Sequence, residues 1–172
     1  MWDEIADGAA GESALWKEAL RPGGDRTLVA VFSPLAQSRF ALGLETIYEG
    51  YLTHYGTSRL FAPPDPDVAL LLGDYLYAHG LVRIASFGET DAVSDLSELI
   101  SLSSQLRAEN ADGDGALWAA SAALLGTGSR LDDARAALRL RGDPGPLETA
   151  AREAAGDEAV DAALAAHLIL RP

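Results

Sequence analysis

The feature that most constrains this fold is a long apolar segment with a helix-start signal before it and a helix-stop signal after it. Asp65 and Pro66 are typical of an N-cap and a first helical residue, because the first turn has no use for the N–H that proline lacks. Gly88 is typical of a helix end. Asp74 and Arg83 lie inside the segment, and each would cost roughly 2.5–3.5 kcal/mol at the middle of a bilayer. We therefore predict a core helix that is buried on most sides, and no membrane span.

The rest of the chain also divides into segments of ordinary helix length. Alanine and leucine, which favour helices, are the main contributors to a hydrophobic content of 48%, whereas aromatic residues make up 7% of the 172 residues. The sequence has no strand-like alternation of useful length and no convincing repeat of fixed period. We predict a single all-α domain over residues 1–172, built as a bundle of about seven to nine helices.

Capping residues and breaks rich in glycine or proline give approximate helix bounds. We expect the first eleven residues to be flexible. Ser33 and Pro34 form another N-cap and first-residue pair, Thr90 is a third cap, and Ser129 with Asp132 has the spacing of a capping box. Helices are accordingly predicted at about 12–20, 26–32, 34–55, 66–87, 91–109, 116–125 and 130–141, with two short helices after 146.

The charge and the residue types of the chain exclude several functions. The formal net charge is −13, so a nucleic-acid backbone would be repelled. The absence of cysteine excludes disulfides, thiol nucleophiles and thiolate metal sites. The opening segment MWDEIADGAAGES is acidic and lacks the basic and then apolar pattern of a secretory signal. These observations predict a cytoplasmic protein with no nucleic-acid partner.

Gly73 and Asp74 are unusual neighbours in the interior of an apolar helix. A glycine there costs about 1 kcal/mol relative to alanine, and an inward-facing aspartate needs a hydrogen-bonding partner. A glycine would, however, let a neighbouring helix approach closely, and the aspartate could bind an arginine or the free amides of another helix. The pair is therefore explained first as a packing feature.

Four segments resemble successive helices of the trans-polyprenyl diphosphate synthases, which belong to the isoprenoid synthase family. DPDVALLLGDYLYAHGLVRIA (65–85) is similar to the family helix that carries GDYL within an apolar run. LGLETIYEGYLTHYG (42–56) resembles the preceding helix, DLSELISLSSQLRAE (95–109) the following one, and ALWAASAALLGTG (116–128) the alanine-rich helix after that. The resemblance covers residues 21–128 and implies part of the isoprenoid synthase fold, with residues 129–172 as short C-terminal helices.

The residues that carry catalysis in this family have no counterpart in this sequence. These synthases hold magnesium with two aspartate-rich motifs, and the first, DDxxD, should lie near the end of the helix that contains Glu45. His54 and Tyr55 stand there instead. Asp132 and Asp133 lie too early for the second motif and are better explained as first-turn acids. The comparison with the family therefore implies no catalytic, metal-binding or cofactor-binding residues and no cofactor, and it favours a protein that is not an enzyme.

Six residues remain candidates for lining a cavity or for packing. Glu45 and Glu49 are one helical turn apart and could hold a cation together, although a solvated acidic edge is the more ordinary interpretation. His54 could act as a base or a ligand, or it could simply be packed. The family's paired diphosphate-binding arginines are reduced at best to Arg59. The candidates are Glu45, Glu49, His54, Gly73, Asp74 and Tyr77.

Three functional hypotheses follow from these observations. The leading hypothesis is a noncatalytic, truncated relative that pairs with a catalytic prenyl diphosphate synthase and modulates its activity or product length; pairing with a second copy of itself is compatible with all three. The alternative is a stand-alone helical protein that binds an isoprenoid or another apolar ligand. The third is an enzyme whose remodelled chemistry uses Glu45, Glu49, His54 or Asp74.

Overall fold

Two long helices form a closely packed antiparallel pair in the computed structural model, which describes residues 1–171. They are α3 (Ala41–Tyr55) and α4 (Pro66–Ala85). Asp65 caps α4 as predicted, because its side chain accepts a hydrogen bond from the Val68 N–H at 2.9 Å. The capping signal in the sequence therefore sets the start of the helix that carries Gly73 and Asp74.

The described residues form nine α-helices, which confirms the prediction of an all-α single-domain bundle of seven to nine helices. Three short 3₁₀ helices at Gly23–Asp25, Ser33–Leu35 and Ser38–Phe40 connect the second helix to α3. The other α-helices are α1 (Trp2–Glu12), α2 (Ala14–Glu18), α5 (Thr90–Ala108), α6 (Asp114–Ala123), α7 (Asp132–Arg141), α8 (Gly145–Ala155) and α9 (Asp157–Leu170).

Four glycines bring the backbones of α3 and α4 into contact. They occur in pairs seven residues apart: Gly43 and Gly50 lie on α3, and Gly73 and Gly80 lie on α4. A Cβ atom added to Gly50 would lie 2.9 Å from the carbonyl oxygen of Gly73, and one added to Gly80 would lie 2.9 Å from that of Gly43. A Cβ at Gly73 would overlap the ring of His54. The close helix approach expected from Gly73 is therefore present, and we call this contact the glycine seam.

Two groups of buried apolar side chains hold the helices together. The larger group lies between α3, α5, α6, α8 and α9 and includes Phe32, Tyr48 and Trp118. The smaller group joins α1 and α2 to the inner face of α4 through residues such as Ile5 and Leu72. Helix α4 contributes to both groups, with Leu72 and Leu76 in the smaller one and Tyr77 and Ile84 in the larger one.

The first eleven residues, expected to be flexible, instead make up most of α1. Ile5, Ala6 and Ala9 are buried, and Arg83 of α4 donates a hydrogen bond to the carbonyl oxygen of Glu4 at 3.3 Å. Glycines and acidic residues make this segment a weak helix by propensity alone. Packing against α4 stabilises it, and this tertiary contribution is invisible to an argument from local propensity.

Residues 26–32, predicted to be helical, are irregular in the structure. The Val31 N–H donates a hydrogen bond to Glu45 Oε1 at 3.1 Å, and the carbonyl oxygen of Val29 accepts one from Arg59 Nη1 at 2.7 Å. Side chains from elsewhere in the chain therefore form hydrogen bonds with backbone groups that would pair with one another in a helix. The same carboxylate oxygen binds the Ser33 N–H, so the helix predicted from Pro34 starts only at Ala41.

The predicted capping box at Ser129 and Asp132 is also wrong. Helix α7 begins at Asp132, and neither residue caps it through a side-chain hydrogen bond. Arg130 Nε instead donates to Asp132 Oδ2 at 2.6 Å, which engages the carboxylate that a capping box would need.

Helix α4 is less buried than its composition predicts. The side chains of Leu70, Leu71 and Val82 are 55%, 55% and 65% exposed, respectively, so one face of the helix lacks a neighbour within the described chain. By length and composition this helix would be able to cross a membrane, a test that core helices of soluble proteins also pass. The expectation of burial on most sides is wrong, because α3, α5 and the N-terminal helices leave this face of α4 uncovered.

Substituting a seam glycine should destabilise the protein. In Gly80→Ala the added methyl group would overlap Ile47 and press on the Gly43 carbonyl oxygen, so the two helices must move apart. We expect a loss of about 1–3 kcal/mol in the free energy of unfolding, measured by urea denaturation. Gly11→Ala is the matched control, since it lies in a helix with nothing within 4 Å of the added Cβ. It should leave stability unchanged or raise it, and equal losses in the two variants would contradict the seam.

Candidate functional site

Glu45 and Glu49 face the core of the protein and both bind Arg59. Arg59 Nη1 donates to Glu45 Oε2 at 2.6 Å, and Arg59 Nε donates to Glu49 Oε2 at 2.8 Å. The side chains of all three residues are fully buried. The interpretation of the two glutamates as a solvated acidic edge is therefore wrong, and the cation that they hold together is a guanidinium.

The remaining oxygens of the two carboxylates bind the backbone of neighbouring loops. Glu45 Oε1 accepts hydrogen bonds from the N–H groups of Val31 and Ser33 at 3.1 Å each. Glu49 Oε1 accepts one from the Leu60 N–H at 2.8 Å and another from the Ser58 hydroxyl. All four carboxylate oxygens are thus engaged, which is the condition under which buried charge is tolerated.

The Arg59 guanidinium is also enclosed by aromatic rings. Its central carbon lies 4.7 Å from the centre of the Trp2 ring and 5.0 Å from that of Tyr48, within the range of cation–π attraction. Burial by itself would lower the pKa of Arg59, but the adjacent carboxylates of Glu45 and Glu49 outweigh it and raise that pKa. Arg59 therefore stays charged in the core. Sequence reasoning missed this role because Arg59 lies in an irregular segment ten residues after Glu49.

A second buried polar cluster surrounds Asp114, the first residue of α6. The Tyr51 hydroxyl donates a hydrogen bond to Asp114 Oδ2. His167 Nε2 and Arg171 Nε each lie 3.5 Å from this oxygen, and Arg107 Nε lies 3.8 Å from it. The cluster joins α3, α5, α6 and the end of α9 around one carboxylate, which also lies at a helix N-terminus, where negative charge is favoured.

The environment of Asp114 keeps its carboxylate ionised. Burial would raise the pKa of Asp114, but hydrogen bonds from His167 and Tyr51, together with the positive charge of Arg171, lower it to about 2. Burial raises the pKa of Tyr51, and the adjacent Asp114 charge raises it further. Tyr48 Oη lies 2.8 Å from His167 Nδ1 and completes the cluster. The sequence gives little sign of this cluster, because Asp114 is a single acid at the start of an alanine-rich helix and His167 is a lone histidine in another helix.

The other four sequence candidates lie together where α3 ends against α4. His54 Nε2 is 3.3 Å from Asp74 Oδ1, and the His54 ring is centred 5.2 Å from the Tyr77 ring. Gly73 leaves room for the histidine ring. Burial lowers the pKa of His54, and the Asp74 carboxylate only partly offsets this effect. Burial also raises the pKa of Tyr77, so the histidine and the tyrosine are both neutral at pH 7.

The six candidates therefore form two groups rather than one site. His54 is nine residues after Glu45, which is two and a half helical turns, so the two side chains leave α3 in opposite directions. Glu45 and Glu49 point into the core, whereas Asp74 is 65% exposed. Within residues 1–171, no group of three or more histidine, cysteine, aspartate or glutamate side chains is arranged to hold a metal ion.

Aromatic side chains occupy the middle of the larger core. The rings of Phe32 and Trp118 are stacked at 5.6 Å, and those of Tyr48 and Trp118 are centred 5.0 Å apart. The ring of His167 lies 5.4 Å from that of Phe32. This packing takes up space between the helices in which an apolar ligand would have to lie.

A surface cleft of about 580 Å³ lies between the start of α5 and the loop before α7, and charged side chains line it. Arg135 Nη1 binds Asp95 at 3.1 Å and Glu98 at 2.7 Å, and Arg130 binds Asp132. These charges are paired within the protein, and the cleft has no resemblance to an apolar channel.

Comparisons of the chain with protein-family models, with curated proteins and with solved structures find no match. The support for any function therefore comes from the residues and contacts described above.

Removing the cation from the buried glutamates should strongly destabilise the protein. In Arg59→Met two carboxylates would remain in the core without their partner, and we expect a loss of about 3–5 kcal/mol in the free energy of unfolding. If that variant does not fold, Arg59→Lys, which keeps the charge but loses the forked geometry, should show a smaller loss in urea denaturation. Arg152→Met is the control, because Arg152 also contacts three acids but does so at the surface. Similar losses for Arg59→Met and Arg152→Met would contradict this assignment.

Asp114 should make the protein sensitive to acid in a defined pH range. Its pKa is 3.8 in the unfolded chain and about 2 in the folded protein, so its stabilising contribution is complete above about pH 4 and is lost as the pH falls through about 2. The shift corresponds to about 2 kcal/mol. The stability difference between the wild type and Asp114→Asn should therefore shrink by about that amount between pH 5 and pH 2, measured by urea denaturation. Asp112→Asn, at a fully exposed neighbour, should show no such trend, and a constant difference for Asp114→Asn would refute the prediction.

Proposed function

We propose that this chain is a noncatalytic helical subunit that pairs, through the exposed face of α4, with a catalytic prenyl diphosphate synthase in the cytoplasm. In this role it modulates the activity or the product length of the synthase. The observation that carries the proposal is the apolar face of α4, defined by Leu70, Leu71, Ala78 and Val82, which we call the α4 stripe.

The α4 stripe has the properties expected of a pairing surface. Leu70, Leu71 and Val82 are each more than half exposed, and Ala78 is exposed between them. These apolar residues lie on one face of the helix, with Asp74 at the turn between Leu71 and Ala78, and such a face is one on which another helix can pack. Isolated exposed leucines are ordinary, but a row along a 20-residue helix marks an interaction surface.

The buried glutamates support a role without metal-dependent chemistry. In the family that the sequence resembles, aspartates near the end of the corresponding helix bind magnesium, and this chain has His54 and Tyr55 there. In this chain, Glu45 and Glu49 bind Arg59 and backbone amides, so their oxygens are engaged. This arrangement also argues against the hypothesis of remodelled chemistry at these two residues.

The charge of the chain favours a different protein as the partner over a second copy. Two copies would each carry a net charge of −13 and would repel one another. A synthase subunit with a less acidic or a basic surface around its docking site avoids this repulsion. We therefore rank a heteromeric complex above a homodimer.

The packed aromatic core and the charged cleft give little support to a stand-alone carrier of apolar ligands. Phe32, Tyr48 and Trp118 fill the centre of the larger core, and the cleft beside α5 is lined by paired charges. Mass spectrometry of the purified chain for a retained isoprenoid separates this hypothesis from the proposed one.

Co-expression with a full-length prenyl diphosphate synthase from the same genome tests the proposal. The tagged wild-type chain should recover the synthase and change its rate or its product length. Val82→Glu places a charge in the α4 stripe and should reduce the recovered synthase by about tenfold or more. Leu140→Glu is the matched control, because Leu140 is 77% exposed on α7 and lies outside the stripe.

The proposal fails if no complex forms and the synthase products are unchanged. It also fails if the isolated chain itself condenses allylic diphosphates in the presence of magnesium. Equal recovery with Val82→Glu and with Leu140→Glu would show that any complex uses another surface.

A further inference from the structure

The α4 stripe carries one charged side chain in its middle. Asp74 follows Leu70 and Leu71 by one helical turn and precedes Ala78 by another, so it lies on the same face. Its side chain is 65% exposed. Any partner that covers the apolar residues of the stripe must therefore also remove water from this carboxylate.

Nothing that contacts Asp74 within the chain neutralises its charge. Among the described residues, the ionisable group that contacts the Asp74 carboxylate is His54, whose Nε2 lies 3.3 Å from Asp74 Oδ1. Burial lowers the pKa of His54, so the imidazole is neutral at pH 7 and can only donate a hydrogen bond. Arg83, the basic residue of α4, is directed to α1, where it donates a hydrogen bond to the Glu4 carbonyl oxygen.

Covering the stripe with a purely apolar surface would thus leave an unpaired carboxylate out of water. An ionised carboxylate without a partner is too costly to bury in this way. A bilayer interior offers no cation, and a second copy of the stripe would bring another Asp74 with four apolar neighbours. A partner protein with a basic side chain meets the requirement.

From the geometry of this face we infer that the partner docks a helix in which an arginine or lysine, flanked by apolar residues three or four positions away, pairs with Asp74. This inference rests on the proposed function and adds the chemistry of the partner surface. Arginine fits best, because its fork can bind both oxygens of the carboxylate while its stem lies on the neighbouring leucines. Charge complementarity with a chain of net charge −13 points the same way.

The test measures the affinity of purified variants for the co-expressed synthase by isothermal titration calorimetry. Asp74→Asn keeps the shape but leaves the partner cation unpaired, and we expect the affinity to fall about 30-fold or more. Glu158→Gln removes an exposed acid on α9 and should leave the affinity unchanged. Because Asp74 is exposed, the Asp74→Asn protein should keep its melting temperature and helical content.

A charge reversal then identifies the partner residue. Asp74→Lys should abolish binding, and changing one arginine or lysine of the synthase to glutamate should restore it. The basic residue of the synthase whose reversal restores binding should lie on a helix and have apolar neighbours three or four positions away. Failure of every such reversal would overturn the inferred pair.

The outcomes separate this inference from the proposed function. If Val82→Glu blocks the complex while Asp74→Asn binds like Glu158→Gln, the pairing surface stands and the inferred cation is wrong. If neither Val82→Glu nor Asp74→Asn weakens the complex, the α4 stripe is not the interface. Two further results would show that the stripe has a different partner. If the chain alone forms a dimer that Val82→Glu dissociates in analytical ultracentrifugation, the partner is a second copy. If the chain binds phosphatidylglycerol vesicles and Asp74→Asn strengthens this binding, the partner is a membrane surface.

Discussion

The arrangement of the first half of the chain depends on the buried ion pairs that Arg59 forms with Glu45 and Glu49. One carboxylate holds the N–H groups that precede α3, and the other holds the loop that follows it. Both connections are irregular and would otherwise leave backbone groups unpaired in the core. A buried ion pair is not in itself a source of large net stability, but it requires that these segments meet at one place.

The glycine seam has a comparable effect on the second long helix. Because Gly50 and Gly73 bring the two backbones into contact, α4 is fixed in rotation as well as in position. One face then meets α3, a second meets the N-terminal helices, and the α4 stripe remains outside. The same packing places His54 beneath Asp74. Composition alone assigns this apolar helix to the core. In the structure, one side of it packs inside the protein and the other side is exposed.

The candidate residues could be named from the sequence, but their grouping could not. Close helix packing, which the sequence predicts for Gly73, is confirmed, because a Cβ atom at this position would overlap His54. Glu45 and Glu49 were correctly paired by their spacing of one turn, yet the partner that decides their role lies in a loop. Asp114 and His167 are 53 positions apart and meet only because α6 and α9 pack side by side. Local patterns carry no information about such distant contacts.

By itself, the sequence determined the all-α class, the cap of α4 at Asp65 and the ends of α3 and α7, because propensity, capping and glycine breaks act over a few residues. Only the tertiary structure decided that residues 26–32 are irregular, that residues 2–12 are helical and that the α4 stripe is exposed. These three outcomes depend on burial against other helices and on hydrogen bonds from distant side chains. Such contributions exceed the fraction of a kcal/mol per residue by which local preferences differ.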